Sequence, residues 1–276
     1  MRAPERHGLV MDARDFLGLR PTHNPHRWVL PVERGICVRY AGFLFGGCGL
    51  AAAVTALETV SGRQLVWATA QYLSYARPPD FVDIDVTIPV AGNHSSQARA
   101  IGHVGDREIF TVNAALGRRP LDVQGVWAHC PEVPPPDACP AAPTMDGGEG
   151  TIHSRVEIRV ARGRFGAAKD GTPSDDGRSA LWIRIPEGLT TSAATLTIIA
   201  DWLPSGISHA LGRWAGGNSL DNTIRIVDVV PSEWILCDVR VMAIRHGFGH
   251  GQIHLWSEEG RLLATGSQSF IVRLMD

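Results

Sequence analysis

The chain has 276 residues, of which 44% are hydrophobic and 20% charged, a composition that excludes disorder as the main state. Its formal net charge is −2, so it has no excess of positive charge that would attract nucleic acid or an anionic membrane. The five cysteines form no C-x-x-C pair, which fits a reduced, cytoplasmic protein better than a disulfide framework.

The first 20 residues alternate in charge and lack the apolar core of a secretory signal, so secretion is not expected. A strand is predicted at residues 35–40. Residues 40–57 carry no charge, but they are barely long enough to span a membrane, and glycines crowd their first half. We therefore predict a short buried helix at residues 47–60, with Leu50, Val54 and Leu57 on its core-facing stripe.

Four β-rich stretches follow this helix, at residues 64–75, 81–90, 97–104 and 107–116. Apolar residues alternate from Val82 to Val90, which is the period of a strand with one buried face. A segment rich in proline and glycine at residues 126–150 then indicates a linker.

The second part of the chain repeats this order of elements. A strand at residues 156–160 and an apolar helix at residues 190–203 precede four β-rich stretches, at residues 222–230, 234–244, 251–256 and 262–274. The hairpins at residues 105–111 and 259–265 also align with each other. We predict a duplicated unit of the α+β class, in which each copy wraps one helix in an antiparallel sheet. The units span residues 20–122 and 151–276, and residues 123–150 join them.

Asp201 closes an uncharged run at the end of the second predicted helix. A carboxylate in such surroundings loses solvation, which raises its pKa and prepares it to act as a base. Helical spacing, however, turns Asp201 away from the stripe that contains Leu196 and therefore away from the wrapped core. A solvated aspartate at a helix end is the alternative.

Two other polar residues are candidates for a site. Gln268 lies in a strand whose counterpart in the first unit has Ala114 at the same place, as a duplicated scaffold with one surviving site would show. An exposed strand glutamine is the alternative. Ser219 stands at the entry to a strand and could equally be a turn residue.

Three motifs are set aside. Residues 206–210 look like a nucleophile elbow, but a helix precedes them where a strand is required. His246, His250 and His254 would lie too far apart along a straight strand to share one metal ion. The glycines between them precede no helix, so they form no dinucleotide fingerprint. Neither a metal nor a cofactor is expected.

Several short stretches occur in a recognisable order between about residues 35 and 273: Phe45-Gly46-Gly47, Gly92-Asn93 with Arg99, Ala200-Asp201, Ser219-Leu220-Asp221 and Gln268. Together they resemble the acyl-CoA thioesterase II family, the double hot-dog thioesterases. The resemblance implies a double hot-dog fold whose second unit holds and activates a water through Asp201, Ser219 and Gln268. It also implies that the substrate binds at the start of the first helix, at Phe45, Gly46 and Gly47.

The chain departs from the family pattern after the first helix. A strand containing histidine and ending in Arg-Pro-Gly-Asp is common there, whereas this chain has no histidine in residues 71–80 and ends that stretch in Arg77-Pro78-Pro79-Asp80. Asn222 stands where a histidine is usual, and Arg225 where an aromatic residue is usual. These departures bear on the identity of the substrate more than on the fold.

The implied activity is hydrolysis of a fatty or related acyl-CoA to free acid and CoA by direct attack of an activated water. We expect no cofactor, nucleic acid or membrane partner, a cytoplasmic location, and a homodimer or larger homo-oligomer. Two alternatives stay open. One is a hot-dog hydratase or dehydratase, and the other is a module that binds acyl thioesters without catalysis.

Overall fold

The computed structural model describes residues 11–40, 42–143, 147–167 and 170–275. Residues 144–146 of the predicted linker lie outside this part of the chain. The described α-helices are α1 (Ala13–Leu17), α2 (Gly46–Ser61), α3 (Ala193–Ala200) and α4 (Gly206–Leu211). Short 3-10 helices occupy Arg34–Ile36, Pro136–Ala138, Ile152–Ser154 and Leu203–Ser205.

The strands fall into two sets, one before and one after the predicted linker. The first set is β1 (Arg20–Pro21), β2 (Arg27–Pro31), β3 (Leu65–Tyr72), β4 (Phe81–Ala91), β5 (Ser95–Val104) and β6 (Arg107–Gly117). The second set is β7 (Glu157–Arg162), β8 (Arg178–Arg184), β9 (Ala215–Ser219), β10 (Asp221–Ile226), β11 (Ile235–Arg245), β12 (Phe248–Ser257) and β13 (Leu262–Leu274).

All of these strands join one 13-stranded sheet in the order β1-β2-β4-β5-β6-β3-β10-β13-β12-β11-β8-β7, and β9 pairs with β13. The order is symmetric about its centre, because β10, β13, β12, β11 and β8 repeat the sequence of β3, β6, β5, β4 and β2. The two halves meet at β3 and β10, where Thr69 pairs with Thr223 and the two hydroxyl oxygens lie 2.9 Å apart. These residues are 154 positions apart, so equivalent residues of the two halves meet near a two-fold pseudosymmetry axis. The predicted α+β double hot-dog fold is confirmed.

The helices lie inside the curved sheet. Helix α2 follows Phe45 and ends before Gly62, which caps it in a left-handed conformation at φ 64°. Its predicted core residues Leu50, Val54 and Leu57 are all buried. Helix α3 packs against α2, and every residue of α3 is buried. The expectation of one core-facing stripe on the second helix was therefore too narrow, because α2 covers the side of α3 that the sheet does not.

Two sequence-based elements differ from the structure, and some strands of the sheet were not predicted. Residues 35–40 form no strand, because Cys37 makes only an isolated bridge to Leu44 and the segment folds back toward α2. The sheet instead uses β2, which the sequence analysis did not predict, as it did not predict β8. The helix predicted at residues 190–203 ends at Ala200, and a 3-10 turn leads on to α4.

The segment between the two halves packs on the second one. Trp182 donates its indole N–H to the Pro134 carbonyl at 2.9 Å, and Cys139 joins a small cluster with Trp234 and Trp256. The division into units at residues 20–122 and 151–276 stays a prediction. None of the described helices combines the length and the apolar character that crossing a membrane requires.

Candidate active site

Asp201 lies between the two helices. It caps the C-terminus of α3, and its side chain reaches the N-terminus of α2, where Oδ2 accepts the Gly47 N–H at 2.5 Å. The residue is only 4% exposed. The alternative of a solvated aspartate turned away from the core is therefore wrong, because the N-terminus of α2 covers that side. The partial positive charge of this helix end favours the carboxylate.

Two side-chain amides hold the other carboxylate oxygen. Gln268 donates Nε2–H to Oδ1 of Asp201 and, at 3.4 Å, to the Ser219 hydroxyl. Asn222 donates Nδ2–H to the same Oδ1 at 3.1 Å. The structure thus brings the three predicted residues together and adds Asn222. The sequence analysis had noted Asn222 only as a departure from the family pattern.

Neighbouring strands place these side chains. Thr223 of β10 pairs with Ser267 of β13, so the adjacent residues Asn222 and Gln268 both turn inward beneath α3. The Asp221 carboxylate accepts the Ser269 N–H at 2.8 Å, which adds a second connection between β10 and β13 next to Asn222 and Gln268. Asn222 and Gln268 are therefore held by paired strands, which position side chains more rigidly than loops do.

Burial dominates the acidity of the central carboxyl group. It raises the pKa of Asp201 to about 7, although the donors on Gly47, Gln268 and Asn222 favour the charged form. A pKa near neutrality suits a group that must accept a proton and return it in one reaction cycle. The expected desolvation of Asp201 is confirmed.

The first turn of α2 leaves no room for side chains. A Cβ atom on Gly47 would lie 2.8 Å from Cβ of Asp201. A Cβ atom on Gly46 would lie 2.9 Å from Cζ of Tyr72 and 3.0 Å from Oδ2 of Asp201. Glycine is thus required at both positions for the backbone of α2 to approach the carboxylate.

Phe45, which precedes these glycines, is buried in an aromatic group. Its ring centroid lies 5.7 Å from that of Trp202 and 6.5 Å from that of His153. Burial and the nearby Arg39 lower the pKa of His153 to about 4, so its imidazole is neutral at pH 7. Gly46 thus borders the carboxylate and the Gly47 N–H is bound to it, whereas substrate binding by Phe45, Gly46 and Gly47 stays a prediction.

Tyr72 is a residue of the site that the sequence analysis missed. It follows Ala68 and Ala70 on the inward face of β3, and its hydroxyl oxygen is buried near the Asn222 side chain. Neither this hydroxyl nor Oε1 of Gln268 has a hydrogen-bond partner among the described residues. The period of two along a strand, which puts Tyr72 on the same face as Ala68 and Ala70, could have placed its side chain inward but not beside Asp201.

The motifs set aside lie elsewhere. Ser208 belongs to α4, and its hydroxyl donates to the Ala215 carbonyl at 2.7 Å. His250 and His254 lie on β12, and His246 lies in the turn before it. In the described part of the chain, no group of three or more His, Cys, Asp or Glu residues could hold a metal ion.

Comparisons with known proteins agree with this architecture. Residues 136–272 match the family of the acyl-CoA thioesterase C-terminal domain. A candidate thioesterase from Novosphingobium aromaticivorans is 32% identical, with a TM-score of 0.82 over 93% of this chain and 98% of the other. No curated protein matches the chain.

More distant structures share the fold. A candidate thioesterase II from Thermobifida fusca is 14% identical, with a TM-score of 0.79 over 94% of this chain and 98% of the other. An acyl-CoA thioesterase II from Mycobacterium marinum is 15% identical, with a TM-score of 0.72 over 96% of this chain and 98% of the other.

Proposed function

The chain belongs to the acyl-CoA thioesterase family, and from this premise we propose that it hydrolyses a fatty or related acyl-CoA to the free acid and CoA. The observation that carries the proposal is the buried Asp201 carboxylate, held between the N-terminus of α2 and the amides of Gln268 and Asn222. Such a carboxylate is positioned and desolvated as a general base requires.

In the proposed mechanism, Asp201 accepts a proton from a water while the water oxygen attacks the thioester carbonyl carbon. Oε1 of Gln268 is a buried acceptor without a partner, so it can receive the second water hydrogen and fix the direction of attack. Ser219, which accepts a hydrogen bond from Nε2 of Gln268, holds that amide in the required orientation.

The attack converts the carbonyl into a tetrahedral oxyanion. Its collapse breaks the C–S bond, and the proton on Asp201 passes to the CoA sulfur, so the base is regenerated without an acyl-enzyme. The Gly47 N–H is engaged by Asp201, whereas no acceptor in the described residues binds the Gly46 N–H. We therefore assign the Gly46 N–H, at the positive end of α2, to the oxyanion.

The test is thiol release from short, medium, long and aromatic acyl-CoAs, comparing the wild type with Asp201→Asn. The wild type should turn over at least one class of substrate, and Asp201→Asn should lose about 1000-fold or more in kcat. Asp106→Asn is the matched control, because Asp106 is exposed in a hairpin turn. A blank without substrate corrects for the chain's own thiols, since Cys130 is only half-buried.

The outcomes separate the candidate functions. An Asp201→Asn variant as active as the wild type would refute the assignment of the base. Binding of acyl-CoA without turnover of any substrate would indicate a binding module. Loss of enoyl-CoA absorbance without thiol release would indicate a hydratase. Location in the cytoplasm and assembly into a homodimer or larger oligomer stay predictions, and light scattering tests the second.

A further inference from the structure

The backbone of β3 fixes the position of Tyr72, its last residue. The Tyr72 N–H donates to the Leu220 carbonyl at 3.0 Å, and Leu220 connects Ser219 to the start of β10. The ring therefore has its place set by the same segment that carries the proposed catalytic residues. It extends from the first half of the sheet across to the N-terminus of α2.

The hydroxyl of Tyr72 is buried, and no described residue hydrogen-bonds it. Buried tyrosine hydroxyls usually have a partner, because leaving one unpaired costs about 1–3 kcal/mol. The hydroxyl packs against the start of α2, close to the carboxylate. The point where a Cβ of Gly46 would stand is 3.0 Å from the Tyr72 hydroxyl oxygen and 3.0 Å from Oδ2 of Asp201.

The buried Tyr72 O–H therefore lies beside the first turn of α2 and the proposed base. Glycine at position 46 permits this approach, because a Cβ atom there would crowd both side chains. A substrate oxygen that reaches the Tyr72 hydroxyl would receive its O–H, and the Gly46 N–H, which no described acceptor binds, belongs to the same helix end. Two donors next to a base are what an oxyanion hole requires.

We propose that Tyr72 is a catalytic residue that donates its hydroxyl to the thioester carbonyl oxygen. This inference rests on the proposed function. As the water oxygen bonds to the carbonyl carbon, the π electrons of the carbonyl move onto its oxygen, and the Tyr72 O–H and Gly46 N–H bonds to it strengthen. When the C–S bond breaks, the electrons return to form the carbonyl of the acid, and the sulfur takes the proton from Asp201.

Tyr72 keeps its own proton throughout this cycle. Burial and the nearby Asp201 raise the pKa of Tyr72 well above its usual range, so the phenol stays a neutral donor. Its contribution is therefore to the height of the barrier and not to the protonation state of the base. This distinction gives the proposal a specific kinetic signature.

The test compares Tyr72→Phe with the wild type in the thiol-release assay across pH 5 to 9. We expect kcat to fall by about 100-fold or more, the size of losing one oxyanion donor, with KM within threefold. The acidic limb of the kcat profile should keep its apparent pKa, because Asp201 is unchanged. Tyr40→Phe is the matched control, since Tyr40 is 72% exposed.

A second variant tests the same contact while leaving the tyrosine in the sequence. Gly46→Ala puts a methyl group 2.9 Å from Cζ of Tyr72, which displaces the hydroxyl from the reacting atoms, so its kcat should fall by a similar factor. Thermal melts of both variants establish that they are folded under the assay conditions.

Several results would overturn the proposal. One is a Tyr72→Phe or a Gly46→Ala enzyme with kcat within threefold of the wild type. Another is a Tyr72→Phe profile in which only the acidic limb moves, which would mean that the hydroxyl acts on Asp201. If the wild type releases no thiol from any acyl-CoA, the proposed function itself fails. Wild-type turnover with an unaffected Tyr72→Phe refutes the role of Tyr72 alone.

Discussion

The two halves of the molecule share one architecture and differ in what they place beneath the helices. Asp201, Asn222 and Gln268 stand 154 positions after Gly47, Ala68 and Ala114. At these three positions the second half has a polar side chain and the first half has glycine or alanine, whereas Ser219 of the site corresponds to Leu65. The strands around these positions are equivalent in order and pairing.

The fold is thus repeated in both halves, whereas the carboxylate and the two amides of the candidate site are present only in the second. The first half still contributes two groups to the candidate site, the N-terminus of α2 and the Tyr72 hydroxyl. Glycine at position 47 is also what allows Asp201 to approach that helix end. The absence of a side chain at Gly47 in the first half thus makes room for Asp201 of the second half.

Among the changes that make one half resemble the other, the largest expected effect is at Gln268. Gln268→Ala removes a donor to Asp201 and the proposed acceptor for water, so kcat should fall by about 100-fold. Thiol-release kinetics measure the loss. Gln252→Ala, which truncates an exposed glutamine of β12, should keep wild-type kcat. Equal activity of the two variants would mean that the asymmetry at Gln268 has no catalytic importance.

The next effect comes from giving the first half a side chain at Gly47. Gly47→Ala places Cβ 2.8 Å from Cβ of Asp201 and 3.0 Å from the Ile198 carbonyl oxygen. We expect a loss of about 3 kcal/mol in the free energy of unfolding, measured by urea denaturation. In the control variant Gly216→Ala, the new Cβ meets only Met275, at 3.6 Å. If both variants are equally stable, the close approach of α2 to Asp201 is not as described.

A smaller effect concerns stability against pH. The pKa of Asp201 is about 7 in the folded chain, above its unfolded value of about 4. The folded state therefore holds a proton that the unfolded state has lost. The stability from this group is complete below about pH 4 and disappears as the pH rises through about 7.

Asp201→Asn removes this titration. Between pH 5 and pH 8, the variant should gain about 2 kcal/mol in unfolding free energy relative to the wild type. Thermal melts at both pH values measure this as a difference in Tm that widens toward pH 8. A difference in Tm that is constant with pH would show that Asp201 is not a buried, titrating group.

The smallest effect lies at the contact between equivalent residues. Thr69→Val and Thr223→Val each leave one hydroxyl of the pair without its partner, so each should cost about 1 kcal/mol in unfolding free energy. The double variant should recover most of that loss, because no hydroxyl is then left unpaired. Urea denaturation measures all three. Unequal single losses without recovery would indicate that the two halves are not equivalent at this contact.

Much of the fold followed from patterns along the chain. The alternation from Val82 onward predicted β4, and the repeated order of elements predicted two related halves. The strand prediction for residues 35–40 was wrong because their short apolar run is typical of a strand, whereas β2 is the segment that pairs with β4 in a full ladder. Pairing between distant strands decides such cases, and a local pattern does not contain it.

The candidate site was predictable in part. The asymmetry between Gln268 and Ala114 was visible in the sequence, and the resemblance to the family identified Asp201 and Ser219. The orientation of Asp201 was not predictable, because helical periodicity within α3 does not reveal that α2 packs on its other side. Asn222 and Tyr72 were missed for the same reason, since their roles depend on which strand lies beside which.

The hydrogen bond from Gly47 to Asp201 joins two residues that are synthesised at different times. During synthesis on the ribosome, the first half emerges with its helix and its tyrosine but without the carboxylate that they face. The N-terminus of α2 therefore lacks the carboxylate that accepts the Gly47 N–H until residue 201 has been synthesised. The proposed site is therefore incomplete until the strand that carries Gln268 has joined the sheet.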